Sequence, residues 1–330
     1  MKNKLLAFLA AFGLVATVHA VEINDNISIN GFIDGSWVNT DTDGAANDES
    51  DLDIDEVELN FLVNAGNVSG EIHIDNDDGA GDAIDLEQVH FTYSMENGLS
   101  VTIGRFGSAL GFERQDPAGL YTFSRAYDDG TGVPASLSLF NIGDVDTTAV
   151  EGISVGYSAD AFSIAVSAVN GVGVMEEDGL GGENDLDIEI ALSYTGIENL
   201  VLGGGVHSQR NSGAADDRDI TNIHAAYTMD KLMLAAEYVN DDNENVLGRG
   251  AGSDLSAIMI LADYDINDQM GVAVRYSEWE TGTNTEADKL TIAPNYAITE
   301  SLGAILEYSS TESAAGNDED SLALELTFTF

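Results

Sequence analysis

The nine residues Leu322-Ala323-Leu324-Glu325-Leu326-Thr327-Phe328-Thr329-Phe330 decide how this chain is read. Large apolar side chains stand at every second position, with small or polar ones between them. That period of two belongs to a β-strand with one apolar and one wet face. An unbroken apolar stripe of this kind suits either the last strand of a soluble β-sandwich or a strand against lipid. The rest of the sequence chooses between them.

At the front, Lys2 and Lys4 precede a nearly all-apolar run from Leu5 to Val18, and Val18-His19-Ala20 offers small residues for cleavage. This is the layout of a secretory leader, so residues 1–20 are expected to be a signal peptide and the mature chain to begin near Val21. The run is too short for a comfortable membrane helix, and no later stretch approaches ~18 consecutive apolar residues. Export would permit disulfides, yet the chain holds no cysteine. With 59 acidic and 11 basic residues the formal charge is −48, a field that repels phosphates and excludes a nucleic-acid partner. Only 3 Pro against 35 Gly, with near-neutral mean hydropathy, argue against disorder. No linker-like break divides residues 21–330, which are read as one domain.

The alternation of the last strand recurs along that length. Val57-Leu59-Phe61-Val63, Val89-Phe91-Tyr93 and Ile153-Val155-Tyr157 each mark one face of a strand. Leu186-Ile188-Ile190-Leu192-Tyr194 alternates with Asp187, Glu189 and Ser193, and similar stripes follow at Ile258-Ile260-Tyr264 and Met270-Val272-Val274-Tyr276. About sixteen such strands fit, each near the ~9–11 residues that a tilted membrane strand needs. Tight turns at 64–67, 96–98, 158–161, 195–199, 229–231, 265–269 and 297–301 alternate with long acidic loops. The loops lie near residues 39–50, 76–83, 107–148, 171–184, 208–218, 241–253, 280–286 and 309–319. Short turns on one rim and long loops on the other are the asymmetry of an outer-membrane barrel, the short side periplasmic.

Aromatic placement points the same way. Tyr93, Tyr157, Tyr194, Tyr227, Tyr264 and Tyr296 close strands just before short turns, whereas Trp37, Tyr238, Tyr276 and Tyr308 close strands that lead into long loops. Amphipathic rings collect at both membrane interfaces, so these residues are expected to form two aromatic girdles, with Phe330 in the periplasmic one. Hydrocarbon offers no partner to free backbone groups, so only helices or closed barrels cross it. The sequence therefore predicts an all-β protein, one closed antiparallel transmembrane barrel of about sixteen strands in contact with outer-membrane lipid and lipopolysaccharide.

Opposite the apolar stripes stand Glu56, Glu58, Glu71, Asp75, Glu87, Asp187, Glu189, Glu237, Asp263, Glu307 and Glu325. About sixteen strands leave an aqueous lumen, and carboxylates on its wall favour cations within a Debye length, ~8–10 Å. A water-filled, cation-preferring channel for passive diffusion of small hydrophilic solutes is expected. The alternative is a non-channel barrel with an adhesion or structural role. The third long loop, from Phe106 to about Thr148, is unusually apolar for an exterior loop: Leu110, Phe112, Leu120, Tyr121, Phe123, Leu137, Leu139 and Phe140. It holds or adjoins Arg105, Arg114 and Arg125 beside Glu113, Asp116, Asp128 and Asp129. Folded into the lumen, it would narrow the channel and set these charges against Arg275 on the wall. Folded outward, it would form a cap packed by its own aromatics. Simple alternation puts Arg105 on the Ile103 face, unless Gly104 starts a bulge that turns it inward.

The runs Gly104-Arg105-Phe106, Gly111-Phe112-Glu113 and Ser124-Arg125-Ala126-Tyr127 resemble the OmpL-like family of bacterial β-barrel porins. The local match lies within residues 104–127, while the barrel pattern covers residues 21–330. The resemblance implies a porin. Phe330 is similar to the last-residue aromatic that the outer-membrane insertion machinery reads in barrel proteins, which implies that partner. General trimeric porins likewise have sixteen strands and an inward third loop, so a homotrimer is an expectation of the same kind. Their usual third-loop signature is missing here, and the basic wall is thin, with Arg275 and Lys289 as its candidates.

Other sites are weaker. An EF-hand starting at Asp75 would need Gly sixth and Glu twelfth, but Gly79 is fifth and Leu86 twelfth. That acidic run, and Asp241-Asp242-Asn243-Glu244, are expected to bind divalent cations weakly at most, and no cofactor or metal is assigned. His73, His90, His207 and His224 stand in no metal-ligand spacing and beside no nucleophile motif, so no catalytic residue is assigned and no enzyme is expected. Gly203-Gly204-Gly205 falls inside a strand and marks a bend, a bulge or close packing. Pro294 also falls inside a strand.

Overall fold

The computed structural model describes residues 20–44, 49–77, 84–113, 118, 120–127, 149–170, 186–209, 218–243, 255–281, 285–314, 316 and 318–330. The expected leader lies outside them, apart from Ala20. The elements are strands: β1 (Val21–Asn24), β2 (Ile27–Thr42), β3 (Glu49–Ala65), β4 (Val68–Asp77), β5 (Asp85–Ser94) and β6 (Leu99–Gly107). After the third long loop come β7 (Ala149–Ser158), β8 (Phe162–Val169), β9 (Asp187–Ile197), β10 (Leu200–Gln209), β11 (Arg218–Met229) and β12 (Leu232–Asn243). The chain finishes with β13 (Leu255–Asn267), β14 (Met270–Thr281), β15 (Thr285–Ala297), β16 (Leu302–Ser313) and β17 (Glu319–Thr329).

From β2 to β17 each strand pairs antiparallel with the next, and β17 returns to β2. This closes a barrel of sixteen strands, with β1 as an extra, short seventeenth. The seam runs from Glu319↔Thr42 to Thr329↔Phe32. Phe330 and Gly31 then exchange two backbone hydrogen bonds of 3.1 Å. Beyond that point β1 takes over along the same edge, pairing Val21↔Ile29 and Glu22↔Ser28. Both ends of the described chain therefore pair along one edge of β2.

The predicted faces follow from this register. In and just before β9, Leu186, Ile188 and Leu192 stand outward at 51%, 40% and 51% exposure, while Asp187 and Glu189 point inward and are buried. A slip of one residue would exchange the two sets. Tyr93, Tyr157, Tyr194, Tyr227, Tyr264 and Tyr296 stand exposed on the outer face near the short turns. Trp37 lies on the outer face too, opposite the exposed Leu52 and Leu324, and its Nε1 donates to Ser50 Oγ at 3.0 Å.

Two sequence expectations need correction. The loops are shorter than read, because β2 and β3, at 16 and 17 residues, continue well past the apolar band. Asn76 and Asp77 belong to β4, and Asp241, Asp242 and Asn243 belong to β12, so the described part of each acidic run is strand. Polar side chains carry no signal that pairing has stopped, and above the lipid the ladder continues with water on both faces. Pro294 also sits within β15, opposite Val272. The ladder to β16 passes from Ile292↔Tyr308 to Asn295↔Ile305 without a shift. The missing N–H of proline interrupts bonding there and leaves the register intact.

Candidate pore and constriction

The third loop leaves β6, and its described residues fold into the barrel, the first of the two arrangements that its apolar content allowed. Of its apolar side chains, Leu137, Leu139 and Phe140 lie outside the described residues. Leu110, Ala126 and Tyr127 are buried against Ile220, Met259 and Trp279, and the Tyr127 and Trp279 rings meet edge-on at 6.3 Å. Phe112 stacks on Tyr121, with ring centroids 6.5 Å apart, and leans on His224 at 6.0 Å. Burial, with Glu237 and Glu113 close by, holds the Tyr127 hydroxyl well above its usual range, so that side chain adds no charge.

A loop buried this way must satisfy its own backbone donors. The wall carboxylates do so. Glu189 accepts from Ser108 Oγ at 2.8 Å and from Ala109 N at 3.0 Å. Glu237 accepts from Phe112 N at 2.6 Å and from Asn222 Nδ2 at 2.7 Å. Glu307 accepts from Ser124 N at 3.2 Å through both oxygens. Within the loop, Glu113 Oε2 accepts from Ala126 N at 2.7 Å. Its other oxygen pairs with Arg275 of β14, which also donates to Thr122 Oγ1 at 2.7 Å and to the Ser124 carbonyl at 2.8 Å. The loop thus crosses from β6 to β9, β12, β14 and β16, held by charge-assisted bonds at each contact.

The family model described as "Putative beta-barrel porin-2, OmpL-like" matches residues 53–330. The chain belongs to this family. No curated protein matches it. Among solved structures it is similar to an anion-selective porin from Comamonas acidovorans at 13% identity, covering 92% of this chain and 99% of that one, with a TM-score of 0.64. It is also similar to a loop L8 deletion mutant of OmpT, an outer membrane protein of Vibrio cholerae, at 12% identity, 93% and 100% coverage and a TM-score of 0.62. A mutant of the Rh. blastica porin follows at 17%, 92% and 100%, with a TM-score of 0.58. At these identities the likeness is one of fold.

In this OmpL-like barrel the sequence-predicted residues separate into groups. Glu58, Asp187, Glu189, Glu237, Glu307 and Glu325 are buried on the inner wall, and Glu71 and Asp263 share that face, partly buried. Glu113, Arg125 and Arg275 gather at the loop, with Arg125 close enough to act electrostatically on Glu325. Arg114, Asp116, Asp128 and Asp129 lie outside the described residues.

Arg105 is not at the constriction. Pairing runs through Gly104 without a shift, from Phe91↔Ile103 to Val89↔Arg105, so Arg105 keeps the outer face of Ile103. Phe106 and Val150, one residue on, are buried inside. Arg105 instead pairs across the ladder with Glu151 at 2.9 Å and donates to the Leu86 carbonyl at 2.8 Å. Gly104 has φ +132, and a Cβ there would collide with the Val89 carbonyl, so glycine serves close approach and not a change of face.

Two features escaped the sequence. The inner wall is partly apolar: Ile220, Val239, Met259, Leu261 and Trp279 point inward among small residues such as Ala235 and Ala273. These receive the loop. The glycine triplet of β10 belongs to the same contact, because a Cβ on Gly203 would strike the His224 ring and one on Gly205 would strike Leu110 and the Ile190 carbonyl. Of the three readings offered for it, close packing is the one the structure selects. A second feature is a bulge where β4 meets β5, with His73↔Gln88 followed by Ile74↔Leu86 and Glu87 left between. Glu87 shares the parity of the outward Val89, and it is the bulge that brings it inside.

Proposed function

We propose that this outer-membrane porin is a water-filled channel that admits small hydrophilic solutes by passive diffusion and prefers cations. One observation carries the preference. The described inner wall holds Glu58, Glu71, Asp187 and Asp263 beyond the carboxylates that tie down the loop, against Arg275 and Lys289. Arg275 is already matched by Glu113. Fixed negative charge in a narrow wet passage raises the local concentration of cations. The similar Comamonas porin is described as anion-selective. This chain, at −48, is read with the opposite preference.

Reversal potentials across a planar bilayer, measured under a potassium chloride gradient, test the proposal. Cation preference is expected, strongest at low salt and falling as screening shortens the Debye length from ~30 Å at 0.01 M to ~3 Å at 1 M. Anion preference at neutral pH and low salt would overturn it. The apolar contact between loop and wall supports a second reading, a filled, non-conducting barrel with an adhesion or structural role, and absence of single-channel steps would favour that one. In either reading the chain is not an enzyme. Residues 1–20 serve as its signal peptide, Phe330 meets the insertion machinery, and the apolar outer face sits in lipid and lipopolysaccharide. A homotrimer is the proposed assembly, in line with the trimer form described for OmpT of Vibrio cholerae.

A further inference from the structure

The acidic residues of β3 to β5 do more than line a wall. Glu58 of β3, His73 of β4 and Glu87 of β5 each present one donor atom to a shared point, and all three donors lie within 4.8 Å of one another. His73 Nδ1 is 3.0 Å from Glu58 Oε1 and 3.8 Å from Glu87 Oε2. That nitrogen is buried and faces both carboxylates. The opposite ring nitrogen, Nε2, is bonded to Glu71 Oε2 at 3.2 Å.

We propose that Glu58, His73 and Glu87 form a binding site for one first-row divalent cation of the zinc class, with Glu71 as the residue that positions the imidazole. Three independent features converge on it. The first is donor geometry. Metal–nitrogen and metal–oxygen bonds of ~2.0–2.2 Å place neighbouring ligand atoms roughly 3–4 Å apart, which matches the spacing around Nδ1. The second is the carboxylate behind the ring. A proton held between Nε2 and Glu71 leaves the Nδ1 lone pair facing the two carboxylates, the outer-shell arrangement of histidine ligands in metal sites. The third is the bulge between His73 and Ile74, which brings Glu87 inside when simple alternation would leave it on the lipid face with Val89. Bulges that re-aim one side chain are common beside functional sites.

The charge balance agrees. Glu58 stands directly opposite Asp75 in the ladder, and like charges in that relation repel. A dication among these groups offsets the repulsion. The imidazole selects the class, since calcium and magnesium favour all-oxygen shells whereas zinc, nickel and copper accept nitrogen. Three protein ligands leave coordination open toward the lumen, where water or an anionic solute could complete it. Histidine spacing along the chain gave no sign of this site because its ligands come from three strands.

Equilibrium dialysis of the chelator-stripped, detergent-folded full barrel against zinc tests the proposal, with magnesium in large excess to occupy carboxylate-only sites. One zinc per chain is expected. H73Q and E87Q should weaken binding at least about tenfold, and E71Q should weaken it by ~10–100-fold, the usual range for an outer-shell partner. Zinc-edge X-ray absorption of the loaded wild type should show imidazole scattering, a readout that needs no variant to fold. Oxygen-only coordination, or magnesium-insensitive zinc binding that H73Q leaves unchanged, would overturn the site. So would the absence of zinc binding, and His73 would then be an ion-pair partner of Glu58 and Glu71. Binding does not depend on whether the barrel conducts, so this experiment and the bilayer measurement fail separately.

Discussion

Arg275 carries the largest single consequence at the scale of one side chain. It is buried and joins Glu113, Thr122 and Ser124, so it is less a free charge of the channel wall than the anchor of the third loop. Removing one partner of a buried pair costs about 3–5 kcal/mol, because the other charge stays buried alone. R275Q is therefore expected to release the loop and raise single-channel conductance, and R275Q/E113Q should recover part of the lost stability. Unchanged conductance and heat-modifiability in R275Q would contradict this role. Phe330 is a different case. Its ring lies 5.8 Å from that of Phe328, and its backbone closes the seam on Gly31. F330A keeps the backbone bonds and loses apolar burial of ~1.5–3 kcal/mol, little for a barrel of this size. The expected defect is in assembly, with a severalfold lower outer-membrane yield and a near-normal heat-modifiability transition in the folded fraction. Normal yield would leave Phe330 as one more girdle residue.

For the strands, the informative contrast is between two glycines. Gly205 of β10 lies under Leu110 of the loop, whereas a Cβ on Gly303 of β16 would meet nothing within 4 Å. G205V should lower the temperature of the heat-modifiability transition and loosen the loop, while G303V should leave both unchanged. Equal effects of the two would mean that the β10 glycines do not serve the loop contact. Strand existence and facing were legible wherever apolar residues alternate, as in Leu186 to Tyr194, because one lipid face forces a strict period. Strand ends were not legible, since Asp241 and Asp77 extend their ladders through polar sequence that reads as loop. Arg105 was ambiguous for a related reason: a glycine at 104 reads as a possible bulge, yet it takes up φ +132 with the register unbroken.

The whole molecule behaves as a charged wall around a folded-in loop. Free carboxylates titrate near pH ~4, and protonation removes the negative charge that attracts cations. Cation preference should therefore weaken as pH falls through that range, with the same reversal-potential measurement as readout. A preference that persists well below it would assign selectivity to the shape of the constriction and not to wall charge.

Sequence alone determined the barrel, its approximate strand number and the lipid-facing stripes. Each depends on local periodicity or composition, which the two solvents of a membrane protein impose residue by residue. Tertiary structure decided how the inner face is used. Glu189, Glu237 and Glu307 read as channel lining, yet they cap the backbone of a loop 80 to 183 residues away in the chain. Glu87 was expected on the inner wall, but it shares the parity of the outward Val89 and stands beside His73 only because of one bulge. Alternation tells a side chain which solvent it faces, but its partner inside a closed barrel is set by the register of many strands, and no local pattern encodes that.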